Sequence, residues 1–375
     1  MIDYLSGALL WFRRRAELLL DHLCALEIAP SIEPRVRSQI VKLESTINEL
    51  SLLLEDPTLT DPSYTDQHLI GLRSWVRTVD DIEAVFLPLV ESWGNDEEKM
   101  QRLTNRACQE ANLTSAIQPI TALYSPQYFF VREDLDVIYM PRLEGYFLLH
   151  LPDLYHEIGH VLLEQAHHIL WEDFPRRIQE HFDREHLRGT LQNDPLASTG
   201  AYLYLADSWV NRWLIEFTCD IFATQLCGPA YGWSHMHLCA SKGESESIYH
   251  PSAGEDALHP ADEARWRVIA HTLGDMGFGA EAQEIERRWR SLVHSLGESE
   301  PTNFHIAYAT DLLRDMQQQI RQGLVSLGVT FYSTSSTPQV SGSGPRLSDL
   351  LNYAWTKFWQ APSDYANWEA SVLPI

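Results

Sequence analysis

The stretch PDLYHEIGHVLLEQAHHI, residues 152–169, decides how the centre of this chain folds. Its apolar residues recur every three and four positions, as on one face of a helix, and Pro152-Asp153 stands where a helix would begin. The pattern predicts a buried helix over residues 151–169. On that helix His156 and His160 are four positions apart, so they lie on one face and can share a Zn²⁺ ion.

The motif H-E-x-x-H, residues 156–160, gives a separate task to the glutamate that follows the first histidine. Glu157 is expected to point beside the metal and to act as a general base. The alternative is a pair of half-buried histidines bonded to neighbouring carboxylates. That interpretation leaves no reason for a charged glutamate on a buried helix, so we favour the metal site.

A catalytic zinc needs a third protein ligand and an open position for water. The metzincin pattern fails, because it requires glycine and histidine at positions 163 and 166, where leucine and alanine stand. The segment WLIEFTCDIF, residues 213–222, instead places Glu216 and Asp220 on one face of an apolar helix. Two acids on a buried face need a cation or hydrogen-bond donors. We therefore expect Glu216 to bind zinc and Asp220 to accept the outer ring N–H of a ligating histidine, His156 or His160.

Together these motifs resemble those of the gluzincin metallopeptidases, which combine H-E-x-x-H with a downstream E-x-x-x-D. They are more narrowly similar to the branch that contains the CAAX prenyl proteases and the bacterial heat-shock membrane proteases. That branch adds a later His-Pro with an arginine six residues after the histidine, a spacing that His259-Pro260 and Arg265 keep. The resemblance covers residues 152–267 and departs from the branch at Cys219, where alanine is usual.

The resemblance implies a zincin-like fold with the metal between two helices. It also implies an edge strand that binds extended peptide, which residues 137–140 would supply. In the implied reaction Zn²⁺ lowers the pKa of its water toward about 7 and Glu157 accepts the proton.

The oxyanion formed in such a reaction needs a donor besides the metal. His259 and Arg265 match the family motif and are the first candidates, and Arg265 has an alternative role as the charged partner of Glu216 or Asp220. Tyr231, His235 and His237 are further candidates because they follow the predicted ligand helix. The alternative for His235 and His237 is a solvated position in a loop.

Hydrophobic periodicity predicts a mainly α fold with a small β-hairpin or edge sheet. Helical patterns cover residues 5–54 as a hairpin of helices, and then 69–93, 97–111, 151–169, 202–226, 263–296, 303–327 and 347–359. Two short strands are predicted at 128–131 and 135–140. The segment 227–262 is rich in Gly, Ser and His and is expected to be a loop.

These elements predict three regions along the chain. A helical region at 1–120 precedes the zincin-like metallopeptidase core at 121–300, and a second helical region follows at 301–375. Residues 333–344 are rich in Ser, Thr and Gly and are expected to form a flexible linker.

Composition limits the classes of partner. The 375 residues include 52 Asp and Glu against 28 Lys and Arg, a formal net charge of −24. Nucleic-acid binding needs the opposite excess, and the same acidity disfavours anionic membranes. No apolar stretch is long enough to span a membrane and no signal-peptide pattern opens the chain. The five cysteines show neither a C-x-x-C pair nor a regular framework, so we expect a reducing cytoplasm.

The leading hypothesis is a cytoplasmic zinc metalloendopeptidase that acts on peptide or protein substrates, with its flanking helical regions gating access and a regulatory protein partner. One alternative is a non-proteolytic helical interaction protein that keeps zinc as a scaffold. Glu157 argues against it, because a structural site has no use for a base. A zinc hydrolase of small amides is the other alternative, and it shares every catalytic residue.

Overall fold

The computed structural model describes residues 2–123, 128–142, 147–241, 247–253, 255, 257–333 and 346–372. The described chain is mainly α-helical with a small three-stranded sheet, which confirms the predicted fold class. Within these residues no helix combines the length and the hydropathy needed to cross a bilayer. The chain divides into two compact units, Met1–Gln101 and Arg102–Ile375.

The N-terminal unit is built on helices α1 (Ile2–Ala25) and α2 (Glu33–Glu55), which pack against each other. Their buried residues recur at helical spacing: Leu5, Leu9, Phe12, Ala16, Leu19 and Leu23 in α1, and Val36, Leu43 and Leu50 in α2. Pro34 lies in the first turn of α2, where its missing N–H breaks no helical hydrogen bond. The predicted helical hairpin is therefore confirmed. Helices α3 (Thr65–Asp81), α4 (Leu87–Glu91) and α5 (Asn95–Glu110) follow.

The sheet of the C-terminal unit consists of β1 (Ile120–Ala122), β2 (Phe130–Arg132) and β3 (Val137–Tyr139) in the order β1-β3-β2. Strands β2 and β3 pair antiparallel, which confirms the predicted hairpin. The expectation that residues 137–140 form the edge is wrong. The segment of β1 was not predicted as a strand, and its parallel pairing places β3 in the centre.

Two long helices follow the sheet. Helix α6 (Pro152–Leu170) confirms the prediction for residues 151–169. Helix α7 (Phe174–Leu191) was not predicted, although Phe174, Ile178 and Phe182 form a buried stripe at one-turn spacing. After α8 (Pro195–Ser198), α9 (Ala201–Ser208) continues through a π-helical turn, Trp209–Trp213, into α10 (Leu214–Cys227).

The expectation of a loop over residues 227–262 is wrong for its first third, which forms α11 (Pro229–Ser241). Its glycine is a packing residue, because a Cβ on Gly232 would lie 3.1 Å from the side chain of Ile285. The predicted helix 263–296 is divided into α12 (Asp262–Asp275) and α13 (Gly279–Ser295). Between them Gly277 has a φ of 89°, a conformation that ends a helix readily only with glycine.

Four further helices complete the C-terminal unit: α14 (Phe304–Ala307), α15 (Thr310–Ser326), α16 (Leu347–Gln360) and α17 (Tyr365–Val372). Helix α16 confirms the prediction for residues 347–359, whereas the predicted helix 303–327 is divided into α14 and α15. The predicted linker at 333–344 lies outside the described residues, apart from Ser333.

Candidate metal centre

Helices α6 and α10 approach each other closely at the candidate site. A Cβ on Gly159 would lie 3.1 Å from the Cα of Cys219, so only glycine fits on α6 without displacing the α10 main chain. His160, next to Gly159 on α6, and Glu216, three residues before Cys219 on α10, face each other beside this contact. The H-E-x-x-H helix and the second helix therefore meet as the resemblance implies.

His156, His160 and Glu216 bring three ligand groups to one point. The Nε2 atoms of the two histidines are 3.3 Å apart, and the Glu216 carboxylate lies 3.4 Å from the first and 3.6 Å from the second. Zinc bonds of about 2.0–2.1 Å in a tetrahedral shell separate the donors by roughly 3.3 Å. The three side chains therefore fit a zinc ion with little rearrangement.

The charged groups of the site shift one another's pKa values. Burial opposes the charged forms, but the carboxylates of Asp220 and Glu216 raise the pKa of His156 to about 10. In the same way, His156 overcomes the effect of burial and lowers the pKa of Glu216 to about 2. His156 and Glu216 therefore each favour the charged form of the other.

Cys219 is an alternative to Glu216 as the third ligand. Its sulfur lies within 4.8 Å of the ligand nitrogens of His156 and His160. The thiol is fully buried under Gly159, and burial raises its pKa well above the usual value. Glu216 is the better ligand, because its oxygens already approach both imidazoles and its pKa keeps it charged.

Asp220 does not touch the donor atoms and lies behind His156. Its Oδ1 is 3.1 Å from the Nδ1 of His156, the ring nitrogen that faces away from the proposed ion. Arg265 donates two hydrogen bonds to the same carboxylate, from Nε at 2.8 Å and from Nη2 at 2.7 Å. Burial opposes the charge, but Arg265 holds the pKa of Asp220 well below its usual range. The contacts match the orienting role expected for Asp220, with His156 as its partner.

Arg265 has the second of its two expected roles, as the charged partner of a carboxylate. Its guanidinium is directed at Asp220, and its Nη2 is 4.0 Å from Glu216. The side chain is nearly buried, so Arg265 fixes the charges behind the site. His259 differs, because its Nε2 lies 3.9 Å from Glu216 Oε1 and its side chain is 65% exposed. His259 therefore stands at the open side of the site.

Tyr231 joins this network from α11. Its hydroxyl donates to Asp220 Oδ1 at 2.6 Å and lies 3.0 Å from His156 Nδ1. Since the hydroxyl has one proton, it donates to the carboxylate and accepts from the imidazole N–H. The structure thus places Tyr231 behind the histidine, away from the oxyanion side.

The two other oxyanion candidates occupy different surroundings. His235 is buried on α11, stacks on Trp289 and lies 3.1 Å from the carbonyl oxygen of Asp262. His237 packs against His150 and Trp355. Both residues lie on α11, so the alternative of a solvated position in a loop is wrong.

Glu157 lies on α6 between the two histidines and is buried. Burial raises the pKa of its carboxyl, and the charges of His156 and His160 oppose the shift. Among the described residues no side chain or main-chain group hydrogen-bonds to the carboxylate of Glu157, so this carboxylate is available to a water molecule. A base with a raised pKa holds an abstracted proton more firmly than an ordinary glutamate.

Glu133 is a site residue that the sequence did not reveal. It follows β2 directly, and its Oε1 lies 3.2 Å from Nδ1 of His160. Each histidine therefore has a carboxylate at its outer nitrogen, which orients a metal-ligating imidazole. No spacing rule links Glu133 to His160, because 27 residues separate them and the pairing of the hairpin brings them together.

Comparison of the chain with family models, with curated proteins and with solved structures found no match.

Proposed function

We propose that this chain is a zinc-dependent metallopeptidase of the gluzincin type. The observation that carries the proposal is the set of donor distances of 3.3, 3.4 and 3.6 Å among His156, His160 and Glu216. Beside them lies Glu157, whose buried carboxylate has no hydrogen bond among the described residues. Two imidazoles and one carboxylate are a known ligand set of catalytic zinc, which keeps one position for water.

The residues around the metal have distinct tasks in the proposed reaction. Zinc, when bound, polarises the peptide carbonyl and lowers the pKa of its water toward about 7. Glu157 accepts the proton of the attacking water and passes it to the leaving amine. Asp220 and Glu133 keep the outer nitrogens of His156 and His160 protonated, so that Nε2 faces the metal.

His259 supplies the donor for the oxyanion in this proposal. Its exposed side chain stands on the open side of Glu216, where a substrate can reach it. A hydrogen-bond donor at this position stabilises charge that exists only in the transition state.

Strand β2 is the edge that we propose for an extended substrate. It lies at one side of the sheet, and Glu133, the residue after it, already contacts His160. A peptide paired with an exposed strand edge would therefore run past the metal. The reaction in a reducing cytoplasm and control by a regulatory partner remain part of the proposal.

The test is hydrolysis of a proteome-derived peptide library by the zinc-loaded full chain, read by mass spectrometry. Glu157→Gln should keep bound zinc and lose cleavage by at least about 100-fold, since it removes the base and no ligand. The matched control is Glu164→Gln, an exposed glutamate two turns further along α6, which should cleave like the wild type.

Two outcomes would overturn the proposal in different ways. Cleavage of small amides but of no peptide would favour the amide hydrolase. Zinc binding without any hydrolysis would favour the interaction protein with a structural zinc core.

A further inference from the structure

A second cluster of metal-binding side chains lies where α11 ends and α12 begins. His235 and Cys239 are one helical turn apart on α11, and Asp262 is the first residue of α12. One donor atom of each residue lies within 4.8 Å of the other two. We propose that His235, Cys239 and Asp262 bind a second zinc ion, which has a structural role.

The distances within this cluster suit a metal shell. The Cys239 sulfur is 3.9 Å from Nε2 of His235, whereas Zn–S and Zn–N bonds of about 2.3 and 2.0 Å in a tetrahedron separate the two atoms by roughly 3.6 Å. His235 Nε2 donates a hydrogen bond to the carbonyl oxygen of Asp262 at 3.1 Å, and a zinc ion at this nitrogen would replace the proton of that bond. The Cys239–His235 pair needs a contraction of a few tenths of an ångström to bind an ion, and the Asp262 carboxylate lies within 4.8 Å of both donor atoms.

The two α11 residues of the cluster are buried. His235 is 2% exposed and Cys239 is 7% exposed, and the imidazole lies against the ring of Trp289 at a centroid distance of 5.5 Å. A shared cation binds all three groups at once.

The ligand types select the metal. A thiolate and an imidazole favour zinc over magnesium or calcium, which prefer oxygen ligands throughout. Asp262 is only two residues after Pro260, so a zinc ion here would fasten α11 to the segment that carries His259. The second site would thus fix a residue beside the first without taking part in its chemistry.

Cobalt titration of the metal-stripped full chain tests the inference, because a thiolate bound to Co²⁺ gives a near-ultraviolet charge-transfer band. The wild type should bind about two ions per chain and show this band. Cys239→Ser should bind about one ion and lack the band. Cys227→Ser is the matched control, a buried cysteine on α10 outside the cluster, and should retain both ions and the band.

Separate variants distinguish this site from the first one. The double variant His156→Ala, His160→Ala should lose one ion and keep the thiolate band, whether or not the chain is a peptidase. Asp262→Asn leaves the thiol in place and should weaken the second ion by roughly 10-fold or more, which provides a test if the cysteine variant does not fold. Absence of the band, or its loss in Cys219→Ser while Cys239→Ser retains it, would overturn the inference.

Discussion

Removal of Arg265 should destabilise the C-terminal unit more than any surface arginine does. Asp220 has no exposed surface, and Arg265 supplies two of its hydrogen bonds at 2.8 and 2.7 Å. Arg265→Met keeps most of the volume of the side chain and leaves the buried carboxylate with Tyr231 and His156 as its remaining partners among the described residues. Breaking one half of a buried ion pair lowers the free energy of unfolding by about 3–5 kcal/mol.

The double variant Asp220→Asn, Arg265→Met shows whether the lost stability comes from the unpaired charge. Asparagine is neutral and still accepts hydrogen bonds from Tyr231 and His156, so the double variant should regain at least about 2 kcal/mol over Arg265→Met. Two changes that each destabilise the protein alone would then be less than additive together.

Urea unfolding of the metal-free chain, followed by tryptophan fluorescence, measures these differences. Arg287→Met is the control, because Arg287 pairs with Glu284 on the exposed face of α13, and its loss should change stability by no more than about 1 kcal/mol. Equal effects of the two arginine variants would refute the reasoning, as would a double variant as unstable as the sum of its single changes.

Three further predictions concern the metal and the helix contact. The carboxylates of Asp220 and Glu216 outweigh burial and raise the pKa of His156 to about 10, so zinc must displace a proton from this imidazole. The affinity for zinc should therefore rise about tenfold per pH unit up to that value. Calorimetry in buffers of different ionisation enthalpy should record roughly one proton released per zinc ion bound. Gly159→Ala should destabilise the chain by about 1–3 kcal/mol in urea, since its Cβ meets the α10 main chain at 3.1 Å, whereas Gly274→Ala, with open space around it, should not. Glu133→Gln should weaken zinc binding up to about tenfold in chelator competition, and an unchanged affinity would show that the carboxylate does not orient His160.

The donor set was predictable from the sequence because its geometry is local. Four-residue spacing places His156 beside His160 and Glu216 beside Asp220 on any helix, whatever the rest of the fold. Burial of Glu216 and Asp220 then requires a cation nearby, and this requirement links their helix to the helix of the two histidines. The Asp220 contact with His156 agrees with that argument.

The missed features depend on pairings between distant segments. Tyr231 was expected in a loop because Gly, Ser and His surround it, but those residues pack inside a buried helix. Glu133 reaches His160 only through the fold of the hairpin. The central position of β3 depends on β1, a three-residue strand without a clear alternation of its own.

The π-helical turn at Trp209–Trp213 makes the candidate site sensitive to the length of the chain. A π turn contains one residue more than an α turn, and each residue of a helix corresponds to a rotation of roughly 100°. Deletion of a single residue from this turn would allow a regular helix and would turn Glu216 away from the two histidines. The candidate metal site is therefore gained or lost in evolution through one insertion or deletion, with every candidate ligand residue still present in the sequence.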